Sequence, residues 1–228
     1  MSRIDWDRWA PLTGIVFVAL VVVTFFLPAA SPPTLDDPAS DVVAWFEEHE
    51  TALLANGYIS GLALVFLVWF LASLYRRLRD GGEARLGVVA LGGGLVLATF
   101  ALIAVSLQQY LAWGLATDLD EETVRVLWVL WAGGLGWGFP LAILAGATAL
   151  SAFKSGVFPL WYGAVGAIAA LWFLVGSAAY ASSGFFSPTG AFQWIGFLVF
   201  LVWVLVTSVL MLMRQEAEQP AAHAAPVT

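Results

Sequence analysis

The chain has 228 residues, 61% of them hydrophobic and 11% charged, with no cysteine and a formal net charge of −7. Soluble domains run at roughly 45–50% apolar and about 25% charged, so this composition excludes an ordinary water-soluble domain, and a mean hydropathy of +0.88 points to lipid as its solvent. The missing cysteines exclude disulfides, thiolate metal sites, iron–sulfur clusters and cysteine nucleophiles.

A helix needs about 20 apolar residues to cross roughly 30 Å of hydrocarbon. The first such run goes from Pro11 to Pro28, after a segment that holds Arg3 and Arg8 together with Asp5 and Asp7. Its exit, Leu27-Pro28-Ala29-Ala30, lacks small residues at both cleavage positions, so it reads as a retained span and not as a signal peptide. Ser31 to Asp37 is proline-rich and extended. Asp41 to Glu50 predicts a short interfacial helix with Ser40 as N-cap and Asp41 in the first turn. Val42, Val43, Trp45 and Phe46 give that helix an apolar side, and Glu47, Glu48 and Glu50 face water.

Five further runs predict spans at Ala52 to Tyr75, Leu86 to Trp113, Val124 to Leu150, Pro159 to Ala181, and Ala191 to Met213. The runs at 86–113 and 124–150 are long for one crossing, which predicts tilt. Pro140 follows the run Gly133-Gly134-Leu135-Gly136-Trp137-Gly138, and this predicts a kink near the middle of the fourth span. The polar, alanine-rich tail 214–228 is expected to be disordered. Pairing the second-to-third hairpin with the fourth-to-fifth matches Leu74 with Leu150, Gly87 with Gly163 and Val89 with Val165, residues common enough in membranes that the match carries little weight.

Orientation follows from the basic residues. Arg3, Arg8, Arg76, Arg77, Arg79, Arg85, Lys154 and Arg214 fall on one face of an alternating topology, while Asp36, Asp37, Asp41, Glu47, Glu48 and Glu50 collect on the other. The expectation is an all-α polytopic bundle of six transmembrane helices over residues 1–213, N-in and C-in, in the plasma membrane.

Within the spans, ionisable residues are absent apart from Arg125 near the outer boundary, which argues against proton relays, cation-coupled pumps and voltage sensors. The two histidines, His49 and His223, cannot form a bis-histidine haem site, and neither a cofactor nor a metal site is predicted. Small residues recur every four positions as Gly57 and Gly61 in the second span and as Gly134, Gly138, Ala142 and Gly146 in the fourth. Such faces let helix backbones approach closely, so these residues are expected to pack helices together. The uncharged polar residues gather at outer depth. Asn56, Tyr58, Gln108, Gln109, Tyr180 and Gln193 are the candidate ligand-binding residues, with Ser106, Ser182 and Ser183 nearby. An aromatic belt with interhelical hydrogen bonds accounts for most of the same residues.

The run Asp41-Val42-Val43-Ala44-Trp45-Phe46-Glu47-Glu48-His49 leads into a span that closes with Trp69-Phe70-Leu71-Ala72-Ser73-Leu74-Tyr75-Arg76-Arg77-Leu78-Arg79. This arrangement resembles a group of multi-pass bacterial membrane proteins that carry a domain of unknown function. The resemblance implies about six helices and no assigned activity. On the residues alone, the favoured function is a non-enzymatic bundle that associates with itself or with partner membrane subunits and is surrounded by lipid. The alternative is a small facilitator or sensor that holds an uncharged or lipid-like ligand in an outward-facing cavity. No nucleic-acid partner is expected.

Overall fold

The computed structural model describes residues 9–27, 32–115, 118–132, 136–178, 181, 184–187 and 190–223, with the helical backbone alone given for 214–223. These residues form α1 (Leu12–Thr24), α2 (Ala39–Glu48), α3 (Glu50–Asp80), α4 (Ala84–Tyr110), a wide turn over Leu111–Leu115, α5 (Glu121–Ala132), α6 (Gly138–Ser155), α7 (Leu160–Ala178) and α8 (Ala191–His223). Among the described residues there is no strand. Five helices, α3, α4, α6, α7 and the Ala191–Met213 part of α8, are long and apolar enough to cross a membrane. Their outward residues, such as Val65, Leu102, Ile168 and Val202, are exposed and apolar, as lipid-facing positions are. The chain is thus compatible with a multi-pass integral membrane protein. The expected first span, 11–28, is helical over only 13 residues, about 20 Å of rise.

The fourth expected span, 124–150, is two helices and not one. α5 ends at Ala132 and α6 begins at Gly138. Gly136, at φ +72°, lies between the two, and Pro140 is the third residue of α6, where a missing N–H costs no helical bond. Gly134 lies outside the described residues. The short acidic-end helix begins at Ala39, with Pro38 in the N-cap position, so Ser40 is not its cap; the Ser40 hydroxyl instead reaches the Asp41 carboxylate at 3.5 Å. The helical backbone of α8 runs on past Arg214 to His223.

Six helices form a ring in chain order. α1 packs on α3, α3 on α4, α4 on α6, α6 on α7, α7 on α8, and α8 returns to α1. Phe17, Phe70, Phe158, Tyr162, Phe200 and Trp203 fill the inside, together with leucines from α3. Each seam is set by residue size. A Cβ on Gly93 of α4 would come within 2.8 Å of Ile143 in α6, and one on Gly94 would strike Leu71 of α3. On the α6–α7 seam a Cβ on Gly138 would collide with Ser177 Oγ and the Phe173 carbonyl, and Gly146 faces Ala170. Gly166 and Gly163 answer from α7 against Ala149 and Ala152, and Ala142 is buried in α6. Gly61 is different: nothing lies within 4 Å of a Cβ built there.

The two ends of the ring are built differently. At the arginine-rich end α3 stops in a Schellman turn, with Gly82 at φ +89° and the Glu83 N–H donating to the Leu78 carbonyl at 2.9 Å. That turn holds Glu83 3.3 Å from Lys154, and Gly81 seats Val157, so the α3–α4 and α6–α7 turns pack on each other. At the opposite, acidic end, α2, α5 and the wide turn form a cap with its own core of Val42, Trp45, Phe46, Leu53, Leu111, Ala112, Val124 and Trp128.

Candidate functional site

The outer amides sit where the bundle meets this cap. Asn56 is in the second turn of α3, and its Nδ2 donates to the carbonyl of Thr24, the last residue of α1, at 2.9 Å. That carbonyl is among the last four of its helix, which have no partner within it. Gln108, buried in the last turn of α4, donates from Nε2 to the Leu53 carbonyl at 3.0 Å and to Asn56 Oδ1 at 3.2 Å. Ser60 adds a longer bond to the same Oδ1 at 3.4 Å. One amide pair thus ties α1, α3 and α4 together. Across the ring, Gln193 of α8 donates to the Gly176 carbonyl in the last turn of α7 at 3.1 Å.

Gln109 points elsewhere. Its side chain lies over Gly57, whose missing Cβ leaves room for it: a Cβ there would stand 2.5 Å from Gln109 Cγ. Gln109 is half-buried there. Tyr58 is 70% exposed and faces outward, away from Asn56 and Gln108. Tyr180, Ser182 and Ser183 lie outside the described residues. Of the six candidates, the structure therefore joins Asn56 and Gln108, places Gln193 on a separate seam, seats Gln109 over Gly57 and turns Tyr58 outward.

A second polar centre lies toward the arginine-rich end, and the sequence reading did not single it out. Thr207 Oγ1 donates to the Trp203 carbonyl at 2.6 Å, which leaves the Tyr162 hydroxyl to donate to Thr207 at 2.6 Å. Tyr162 and Trp203 stack at 6.3 Å, and Ser208 Oγ lies against Gly14 of α1. Attention to outer depth hid this group. Its signal was the adjacent pair Thr207-Ser208 in an otherwise apolar run.

Among the described residues, no three His, Asp or Glu side chains gather as a metal-binding set. His49 is held by its ring, stacked on Trp45 at 5.4 Å, with Nδ1 2.9 Å from the Trp45 carbonyl. Comparison with protein-family models, with curated proteins and with solved structures finds no match for this chain. The resemblance carried by residues 41–79 therefore assigns no residue a role.

Proposed function

We propose that this chain is a non-enzymatic, six-span bundle of the plasma membrane that works by associating, in the membrane plane, with itself or with partner membrane subunits. In this reading α1 is the sixth span, residues 1–213 are one domain, and both termini lie on the cytoplasmic side with the arginine-rich turns. The observation that carries it is where the polar side chains go. Asn56, Gln108, Gln193 and the Tyr162–Thr207 pair are spent on bonds between helices, so the interior is committed to holding the bundle together. The alternative, an outward-facing cavity for an uncharged ligand, would need those same amides free.

What remains for interaction is the outside. Gly92 and Thr99 are exposed on α4, seven residues apart, with Ser106 a further seven along. No atom lies within 4 Å of a Cβ at Gly92, and both hydroxyls bond back to their own helix, to Leu95 and Leu102. Such a face allows close approach by another helix. The test is native mass spectrometry from nanodiscs. The expected result is a discrete oligomer, or a complex with a stoichiometric second subunit, that Gly92→Leu disperses. A monomer with no co-purifying protein overturns the reading.

A further inference from the structure

Five of the six seams of the ring join helices that follow one another in chain order, and the sixth brings α8 back to α1. Thr13 and Thr24, the hydroxyls of α1, bond locally to the Ala10 and Val21 carbonyls, so among the described residues no hydrogen bond crosses from α1 to α8. The seams on either side differ. α1 is bonded to α3 through Asn56 and the Thr24 carbonyl, and α8 to α7 through Gln193 and through Tyr162 with Thr207. Across the closing seam the contacts are apolar: Phe17 on Phe200 at 6.0 Å, and Phe25 on Trp194 and on Phe197 at 5.9 Å each. In lipid such contacts gain no hydrophobic force, because parted rings find acyl chains in place of each other.

The polar group that does lie in this seam is unsatisfied. Ser208 of α8 is fully buried, and its Oγ has no hydrogen-bond partner. The other four buried hydroxyls of the ring helices, on Thr148, Ser151, Ser177 and Thr207, each donate to the carbonyl four residues earlier. Ser208 has the same recourse in the Val204 carbonyl, one turn back, and does not take it. Its hydroxyl is turned toward α1 instead, where a Cβ on Gly14 would strike it and would stand 2.6 Å from Phe70 Cδ2. A buried donor without a partner costs free energy, so the closed seam carries a penalty that a parted one does not.

We propose that the α1–α8 seam is a lateral gate. The ring closes and parts along this one line, between α1 held by α3 and α8 held by α7, and the parted state opens the aromatic interior sideways to the bilayer. Ser208 sets the balance. In the closed state its hydroxyl is unpaired against Gly14, and in the parted state it donates to the Val204 carbonyl of its own helix. Phe17, Phe70, Phe200 and Trp203 form the wall that parting uncovers. Packed interfaces switch between discrete arrangements, and a change at one contact shifts the two populations without creating either. The gate goes beyond self-association, whose face is on α4.

The chain has no cysteine, so pairs of spin labels can be introduced without background. Val16→Cys with Leu205→Cys puts them on the exposed sides of α1 and α8, and Val65→Cys with Leu102→Cys puts them on α3 and α4 as a control seam. Distances are read by double electron–electron resonance on the full chain in nanodiscs. The α1–α8 pair should show two distances and the control pair one. Ser208→Ala removes the unpaired donor without adding bulk, and it should lower the longer-distance population at least about fivefold. Gly14→Ala should make the longer distance the main one, with helical content and the control distance unchanged. A hydroxyl that merely filled space would act in the opposite sense, since its truncation leaves a gap and loosens the seam. A single α1–α8 distance in the wild type and both variants overturns the gate, and so does a longer-distance population that stays or grows in Ser208→Ala. A control distance that shifts with the same variants also overturns it, because the whole bundle is then loosening. None of these results bears on self-association, which is tested at Gly92.

Discussion

The ring of six helices and the cap at its acidic end solve the same packing problem with opposite materials. In the ring, glycine and alanine bring backbones together, as where Gly138 meets Ser177 and the Phe173 carbonyl. In the cap, aromatic rings do the work. Trp128 packs edge-on to Phe46 at 5.9 Å and to Trp45 at 6.0 Å, and tilts against Trp131 at 4.9 Å. The polar chemistry differs too. Ring amides reach the backbone of a neighbouring helix, whereas in the cap Asp120 receives the Thr123 N–H at 3.0 Å and its hydroxyl at 2.8 Å, capping the start of α5. Between helices in lipid there is no hydrophobic force to gain, so close contact decides. Near water, burial of large apolar side chains regains its value.

Five substitutions sharpen this contrast. Trp128→Ala should cost about 3–5 kcal/mol, read as lost amide protection across α2 and α5, while the melting temperature of the ring stays put; simultaneous melting of both would show one cooperative unit. Gly138→Leu should do the reverse, lowering ring stability by about 3 kcal/mol in a reversible unfolding assay and leaving cap protection intact. A Gln108→Ala variant removes a bond that spans both parts, since Leu53 belongs to the cap core and Asn56 to α3. Its cost should be about 1 kcal/mol, measured against Asn56→Ala in a double-mutant cycle that should show the two are not additive.

The smallest effect is expected at Asp120→Ala, as faster exchange confined to the first turn of α5. The Thr123 backbone N–H, and then its hydroxyl, hold the Asp120 carboxyl below the usual carboxylate range. A carboxylate lowered in the folded state contributes stability above its unfolded value and loses it as pH falls through the folded one. In acid, after correction for intrinsic exchange, the wild type should therefore come to resemble Asp120→Ala. Persistent wild-type protection there would mean that the cap is held by packing alone.

Much of this architecture was legible because lipid imposes strong rules. Hydropathy located α3, α4, α7 and the Ala191–Met213 part of α8, and punctuation by proline and charge placed their turns. Two features escaped for physical reasons. Apart from Arg125 the run Val124 to Leu150 is largely apolar, so hydropathy cannot show that its first half turns aside to meet α2; only the glycines from Gly133 to Gly138 hint at the break. For the outer amides, sequence depth brought Asn56, Gln108, Gln109 and Gln193 together. Helical phase then separated them, because neighbours such as Gln108 and Gln109 stand about 100° apart on one helix. One is buried against Leu53 and the other lies over Gly57.

The order of the ring bears on how the protein is made. Each ring helix has its predecessor in the ring as a neighbour, so a chain entering the membrane from its N-terminus can dock every new helix on one already present. α1 alone must wait. Gly14, Phe17 and Phe25 meet Ser208, Phe200 and Trp194 only after α8 has been inserted, and until then that side of α1 lacks its partner. The shortest helix of the ring is thus the latch of the assembly, and a nascent chain stopped before α8 would be a bundle left ajar.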